Sequence, residues 1–120
     1  HDADLCWLDL QRGEAKPWIA VNSNDTESYH TWSSTGRWLV VSSRRGDGTF
    51  TRPFFAHVDE DGNWGKPFEL PQSDPDYNRQ LLRSYNIPEF MRGPVTIAPH
   101  TFASVLKGEG EPVKYVKQLR

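Results

Sequence analysis

The chain has 120 residues, which is enough for one modest domain with a single core. Its 14 basic and 16 acidic residues give a formal net charge of −2, so it lacks the positive field of a nucleic-acid-binding protein and we expect no nucleic-acid partner. No apolar run approaches the roughly 20 residues that a transmembrane helix needs. Nine Pro and nine Gly favour short strands joined by turns over long helices.

The only cysteine, Cys6, excludes an internal disulfide and a metal site made of several cysteines. We expect its side chain to be a small buried hydrophobic group within the segment 4–10. The chain begins with His1, which is not a natural initiator residue. We therefore interpret it as a processed or excised piece of a longer protein.

The first 21 residues predict a β-hairpin. Residues 4–10 form a short apolar segment with strand-like alternation, and residues 16–21 form a second one. Between them, Gly13 tolerates the positive φ that a tight turn needs. The polar residues 22–25 connect the hairpin to the next segment, since Asn and Asp side chains readily bond their own backbone.

Residues 25–71 predict four antiparallel strands, over 28–32, 38–43, 51–59 and 66–70. Glycine residues at the expected turn positions separate them: Gly36, Gly48 and Gly62. The second strand is apolar on both faces, so we expect both of its faces to be covered by other parts of the protein.

After residue 71 the sequence no longer has the strand-and-turn pattern of the preceding segment. Asp74 and Pro75 are typical of a helix start, and the apolar residues that follow recur at helical spacing, which predicts a short helix over 75–86. Residues 94–120 are predicted to contain C-terminal strands, over 94–98, 101–106 and 113–116. The predicted fold class is therefore all-β with one short helix.

A repeat-like motif runs through residues 25–71, formed by His30, Trp32, Ser33, Gly36, Ser43, Arg44, Asp59 and Gly62. It resembles the TolB-like or PD40 repeat, a WD40-like β-propeller repeat, and the chain is similar to the C-terminal part of such proteins from Bacteroidetes-type bacteria. It departs from that repeat at Ser34-Thr35, where Pro-Asp is usual. The resemblance implies one complete blade over 25–71, the outer strands of a preceding blade over 1–21, and a single partial propeller domain over 1–120.

The resemblance implies a non-catalytic binding or scaffold module of a bacterial cell-envelope protein, periplasmic or associated with the outer membrane or cell surface. Such a module would contact a protein or a glycan through the loops at the blade ends. Because an isolated blade exposes faces that normally stack, we also expect the chain to self-associate, to exchange strands, or to close a small sandwich with its C-terminal strands.

Two alternatives stay open, because a fold does not by itself determine a function. The chain could be the propeller portion of a carbohydrate-active or peptidase-like enzyme. It could also be an accessory domain of a c-type haem protein, in which case the haem motifs lie outside this chain, because it has no Cys-x-x-Cys-His.

Four residues are candidates for binding. Arg44, Arg45 and Arg52 could converge on one end of the blade and contact a carboxylate or an acidic sugar, or could form internal salt bridges instead. Trp64 lies on a predicted turn, where it could stack on a sugar ring or a partner, or could pack over the blade edge instead.

No residue is predicted to be catalytic, and no metal or cofactor is predicted. His30, His57 and His100 are too far apart in the sequence to form a local metal site. We expect a structural hydrogen bond at His57, and at His30 a bond to Asp25 or Ser43.

Three further motifs have structural explanations. The serines lack the Gly-x-Ser-x-Gly context of an activated nucleophile. Arg45-Gly46-Asp47 matches an adhesion tripeptide, but turn chemistry explains it. Residues 59–61 are acidic and precede Gly62, yet they lack the ligand spacing and the closing Glu of a calcium loop, which favours an acidic hairpin turn.

Overall fold

The computed structural model describes residues 3–110. The chain divides into two compact units, His1–Phe90 and Met91–Arg120. In the described residues the first unit has six strands in two antiparallel sheets and helix α1, and the second has helix α2. The elements are β1 (Cys6–Asp9), β2 (Glu14–Pro17), β3 (Glu27–Trp32), β4 (Trp38–Ser43), β5 (Arg52–His57), β6 (Phe68–Glu69), α1 (Tyr77–Gln80) and α2 (Pro99–Lys107). The predicted all-β class, built mostly of antiparallel sheet, is confirmed.

β1 and β2 form a hairpin in the N-terminal segment, as predicted, but its second strand is Glu14–Pro17 and not 16–21, because the turn is shorter than expected and β2 already begins after Gly13. In its turn, Asp9 Oδ1 accepts hydrogen bonds from two backbone N–H groups that follow it, and Gly13 has a φ of 66°, which glycine adopts without steric cost. Leu5, just before β1, enters the core, whereas Cys6 is exposed. The prediction that Cys6 is buried is therefore wrong, because its neighbour in this alternating segment takes the inward position.

β3, β4, β5 and β6 pair in chain order as one antiparallel sheet, which we call the main sheet. The turns after β3 and β4 contain Gly36 and Gly48, with φ of 67° and 69°. The four strands predicted over 25–71 are thus present in the predicted order. The last is shorter than predicted, since only Phe68 and Glu69 pair with β5.

β3 contains one extra residue, Tyr29, at a shift in its register with β4. Tyr29 has a φ of 43°, in a region that residues other than glycine rarely adopt. On either side of it, Glu27 pairs with Ser43 and Trp32 pairs with Leu39. An odd step separates Glu27 from Trp32, so a regular strand would direct them to opposite faces. The bulge instead places both on the same face of the main sheet.

Both faces of β4 are covered, as its two apolar faces predicted. On one face, Leu39 and Val41 belong to a buried core that also contains Leu5, Val21, Phe54 and Ala56. On the other face, Val40 is buried, and the neighbouring Ser42 hydroxyl donates hydrogen bonds to two carbonyl groups of the segment 85–86. The N-terminal residues of the chain therefore cover one face, and residues 85–90 cover the other.

The helix predicted over 75–86 is only one turn, α1, and the chain leaves the helical conformation at Leu81. The cause is the Arg52 guanidinium, which donates hydrogen bonds to the carbonyl oxygens of Asn78, Leu81 and Arg83. Since these carbonyls are satisfied by a side chain of β5, they do not continue the helical hydrogen-bond pattern.

In the second unit, α2 replaces the strand predicted over 101–106, so that prediction is wrong. Two β-branched residues, Thr101 and Val105, favoured a strand. Pro99 occupies the first turn of the helix, however, and Gly108 caps its end by donating to carbonyls of the last turn. These are the positions at which Pro and Gly delimit helices, and they outweigh the propensity of two residues.

The other two predicted C-terminal strands differ in outcome. Residues 94–98 form no strand, and residues 113–116 lie outside the described part of the chain. Within residues 3–110, neither helix has the length and apolar character that crossing a membrane requires.

Candidate functional site

The predicted binding residues divide between the two ends of the main sheet. Trp32 and His57 are the last residues of β3 and β5, and Trp64 is in the turn that follows β5; we call this the tryptophan end. At the other end, Glu27, Ser43 and Arg52 are register partners across three strands; we call this the arginine end. The six-residue strand β5 separates the two ends by about 17 Å, at ~3.3 Å per residue.

The acidic turn after β5 holds Trp64 in position. Asp59 accepts hydrogen bonds from the side chain and backbone N–H of Asn63 and from the backbone N–H of Asp61. These bonds, the Asn63 side chain's first among them, lower the pKa of the Asp59 carboxyl below its ordinary value. Gly62 has a φ of 83°, and Trp64 pairs with Val58 in a β-bridge. The turn predicted from the acidic residues and Gly62 therefore places Trp64 at the edge of the core.

Three indole rings meet at the tryptophan end. Trp18 and Trp64 contact edge to face, with ring centroids 4.6 Å apart. Trp32 stacks on Trp18 at 5.7 Å and meets Trp64 at 5.5 Å. Trp18 and Trp64 also pack against the buried core. Part of this aromatic surface is therefore structural, as one of the two interpretations of Trp64 predicted.

The same rings also line an open cleft of about 330 Å³. Its lining consists of Gly62 and four of the five tryptophans of the chain: Trp7, Trp18, Trp32 and Trp64. Trp7 and Trp32 remain 44% and 41% exposed. Within the described residues, none of the four indole N–H groups donates a hydrogen bond to another residue of the chain.

Sequence analysis identified only part of this cleft. Trp64 was a binding candidate and Trp32 a repeat residue, but Trp7 and Trp18 were not singled out. One feature of the sequence could have indicated Trp7 and Trp18 as well: each of the four tryptophans lies in or next to a predicted strand end or turn. Sequence spacing does not show that those positions meet in space.

At the arginine end, a buried ion pair accounts for Arg45. Glu27 is 1% exposed, and its Oε1 accepts hydrogen bonds from Arg45 at 3.1 Å and from the Ser43 hydroxyl at 2.8 Å. Ser23 donates to Glu27 through both its backbone N–H and its hydroxyl. Arg45 also donates to the carbonyl of Val21. Glu27 is the central residue of this network, and sequence analysis did not identify it.

Arg52 has a separate set of partners. It is 4% exposed, and its terminal nitrogens donate to the carbonyl groups of Thr51, Asn78, Leu81 and Arg83. Its Nε lies 3.9 Å from Glu69 Oε1. The structure therefore gives Arg45 and Arg52 internal partners, as the salt-bridge interpretation proposed, and does not bring the two guanidinium groups to one shared partner.

Arg44 is exposed, and its backbone N–H donates to the carbonyl of Thr26. The tripeptide Arg45-Gly46-Asp47 lies in the turn after β4. Because the Arg45 side chain is directed into the Glu27 network, the tripeptide does not present the free arginine that an adhesion motif requires.

The turn between β3 and β4 is built by the repeat residues Ser33 and Gly36. The Ser33 hydroxyl accepts a hydrogen bond from the backbone N–H of Trp38, and the Gly36 N–H donates to the Ser33 carbonyl. Together they close the hairpin that begins at Trp32. These two motif residues therefore have a structural role in this chain.

The histidines do not form a common site. His30 is exposed, and Ser43, one of its expected partners, bonds Glu27 instead. His57 packs against Trp38, with ring centroids 4.7 Å apart. Among residues 3–110, no three His, Cys, Asp or Glu side chains are grouped closely enough to hold a metal ion.

Comparison with models of protein families, with curated proteins and with solved structures found no match to this chain. The fold therefore assigns the chain only to a broad structural class. It is a mostly antiparallel β-protein whose main sheet is a four-stranded meander. Membership of the TolB-like repeat family remains a prediction from residues 30–62.

Proposed function

We propose that the chain is a non-catalytic binding or scaffold module of a bacterial cell-envelope protein, and that it binds a glycan in the tryptophan cleft. In this proposal the main sheet is a TolB-like propeller blade, and the protein acts in the periplasm or at the cell surface. The observation that carries the binding proposal is the convergence of four tryptophans on one open cleft.

The chemistry of the cleft supports a ligand with flat apolar faces and polar edges. Indole rings offer large rigid apolar surfaces together with one N–H donor each. A sugar ring has the complementary pattern, with C–H groups on its faces and hydroxyl groups around its rim. The volume of about 330 Å³ is near the lower end of the roughly 300–1,000 Å³ typical of ligand pockets, which suits a short oligosaccharide.

The composition of the lining supports binding rather than catalysis at this cleft. Indole side chains and a glycine supply no general acid, general base or nucleophile of the kinds that enzymes use. The lining is also uncharged, so a neutral glycan fits it better than an acidic one. The enzyme alternative would need reacting groups from a part of the parent protein other than this lining.

The proposal is tested with the whole 120-residue chain on an array of neutral and acidic oligosaccharides, followed by fluorescence titration of the sugars it retains. Trp7→Ala removes an exposed ring of the cleft, and we expect it to weaken binding by roughly tenfold or more, the size of a Trp hot spot. Trp38→Ala is the matched control, because Trp38 packs outside the cleft, on His57 and Phe68. Retention of no sugar, or equal losses in both variants, would contradict the proposal.

The scaffold part of the proposal is supported by apolar surface on the N-terminal hairpin. Leu8 and Leu10 are 54% and 87% exposed, and both follow Trp7 closely in the sequence. Exposed apolar side chains concentrated in one short segment favour protein contacts. Size-exclusion chromatography with light scattering should therefore detect a defined oligomer, and a monomer at all concentrations would count against self-association.

A further inference from the structure

The tryptophan cleft attracts positive charge as well as flat apolar surfaces. Its lining consists of four indole side chains and Gly62, so a group bound there contacts mainly aromatic side chains. The faces of an aromatic ring carry partial negative charge, and they attract a cation, most strongly when the ring is that of tryptophan. The four rings together therefore favour a positively charged group over a neutral group of the same shape.

Three of the lining rings differ in orientation instead of forming one flat platform. Trp18 and Trp64 meet at 88°, and Trp32 meets Trp64 at 66°. A flat ligand ring can stack on only one of two rings that are nearly perpendicular, whereas a rounded group can touch both. The angles between the rings therefore fit a rounded cation, and a tetrahedral trimethylammonium group has that shape.

The lining also selects among cations. An indole side chain has one N–H donor and no acceptor, and Gly62 has no side chain that could accept. A primary ammonium group has three N–H donors, which would lose their hydrogen bonds to water and gain none from these side chains. A trimethylammonium group has no N–H donor, so it avoids that cost. The cleft therefore favours a quaternary ammonium group over a lysine-like amine.

The segment beside the cleft is acidic. Residues 59–66, which include part of the lining, contain three acidic residues and one basic residue. Hydrogen bonds from neutral amide groups, that of the Asn63 side chain first, lower the pKa of the Asp59 carboxyl, so it is ionised at neutral pH. Lys16, the register partner of Trp7, is itself paired with a carboxylate. The local charges therefore attract a cation and repel an anion.

We propose that the tryptophan cleft binds the trimethylammonium group of a small solute such as choline. The inference goes beyond the proposed function, because it assigns to the cleft a second class of ligand, which carries a charge and needs no sugar. Either one can fail without the other. Sugar retention without choline binding would overturn the ammonium site alone, and choline binding without sugar retention would overturn the glycan proposal alone.

The test uses the whole chain, labelled with ¹⁵N and titrated with choline chloride at constant ionic strength. The matched probe is the neutral analogue of choline in which a tert-butyl group replaces the trimethylammonium group. We expect choline to give saturable shifts of the indole N–H signals of Trp7 and Trp32, while the signal of Trp38 stays unchanged. The neutral analogue should bind roughly tenfold more weakly, because it makes the same apolar contacts without the attraction between a cation and the rings.

Trp7→Leu tests the contribution of one ring. Trp7 is 44% exposed and is not part of the buried core, so the variant should fold as the parent does. We expect it to bind choline about fivefold more weakly and the neutral analogue nearly as before, since leucine is apolar but has no aromatic face. Trp7→Phe should recover part of the affinity for choline. Trp38→Leu is the matched control, because Trp38 packs outside the cleft.

A phospholipid head group can carry the same trimethylammonium group, so a separate experiment distinguishes the two sources. The chain is mixed with vesicles of phosphatidylcholine, and vesicles of phosphatidylglycerol are the control. Saturable binding of choline without retention on either kind of vesicle supports the small-solute proposal. Retention on phosphatidylcholine without saturable choline shifts would overturn it and would identify a lipid surface as the ligand.

Three further results would overturn the proposal. The first is that choline gives no saturable shift of any indole N–H signal. The second is equal affinity for choline and its neutral analogue, which would show that apolar contact alone accounts for binding. The third is an affinity for choline that Trp7→Leu leaves unchanged, which would place the binding site outside the tryptophan cleft.

Discussion

The tryptophan end and the arginine end are built from the same strands of the main sheet, yet their side chains are satisfied in different ways. At the arginine end, Glu27, Arg45 and Arg52 are buried or half-buried and bonded to partners within the chain. At the tryptophan end, Trp18, Trp32 and Trp64 contact one another and still line an open cleft. Charged groups need specific partners when buried, whereas an aromatic ring can pack on one side and remain accessible on the other. In this chain, therefore, Arg45 and Arg52 serve the internal structure, whereas the tryptophans combine packing with accessible surface.

Breaking the buried ion pair should have the largest effect. Glu27→Ala leaves the Arg45 guanidinium without its buried partner, and we expect a loss of about 3–5 kcal/mol in the free energy of unfolding. Glu60→Ala is the control, because the Arg37–Glu60 pair is exposed although its atoms are 2.7 Å apart, and an exposed pair contributes up to about 1 kcal/mol. Urea unfolding measures both.

If Glu27→Ala and Glu60→Ala lowered the free energy of unfolding equally, burial would not determine how much an ion pair contributes to stability. The double variant Glu27→Leu with Arg45→Met should recover most of the stability, because a buried ion pair can be replaced by apolar groups of similar volume. Failure to recover would indicate that the pair also specifies the conformation of the arginine end.

The bulge at Tyr29 connects the two ends, since it directs Glu27 and Trp32 to the same face. Tyr29→Val should destabilise the protein by about 1–2 kcal/mol, because a β-branched residue is unfavourable at the φ of 43° observed here. Tyr29→Gly should be neutral or stabilising, because glycine adopts a positive φ without that penalty. Thermal unfolding of the two variants should thus give the reverse of ordinary strand propensities, in which valine exceeds glycine. The ordinary order would show that the bulge does not form in solution.

The smallest effect is expected at the turn that positions Trp64. Because hydrogen bonds from Asn63 lower the pKa of Asp59 in the folded protein, the carboxylate stabilises the turn above its unfolded pKa of about 3.9. That contribution is lost as the pH falls through the lower folded value. The indole N–H signal of Trp64 should therefore shift between pH 5 and pH 2, measured by NMR.

Asp59→Ala should show a displaced Trp64 signal already at pH 5. Asp47→Ala is the matched control, since the pKa of Asp47 is also lowered, by the N–H groups of Phe50 and Thr49, but at the arginine end. An acid-induced shift of Trp64 that persists in Asp59→Ala would assign the titration to another group.

Helix predictions show where local patterns were insufficient. The segment 75–86 has helical spacing, but Arg52, more than twenty residues earlier in the chain, binds the carbonyl groups that would have continued the helix. The segment 101–106 has strand-forming residues, but Pro99 and Gly108 delimit a helix. The length of the first helix was wrong because it depends on a contact with a residue distant in the sequence. The strand over 101–106 was wrong because strand propensity was given more weight than the residues that delimit a helix.

The sequence by itself determined the features that depend on neighbours along the chain. Short apolar segments specified the strands. Gly13, Gly36 and Gly48 specified the turns, and the acidic turn placed Trp64 at an edge. These features follow from backbone sterics and from hydrogen bonds over a few residues.

Only the tertiary structure decided which distant side chains meet. Trp7 and Trp18 reach Trp64 because the N-terminal hairpin covers one face of the main sheet, and Trp32 joins them because a single extra residue changes the register of β3. One-residue register changes invert the facing of every later side chain in a strand. Local periodicity does not specify where such a change occurs, so the complete lining of the tryptophan cleft could be identified only from the folded chain.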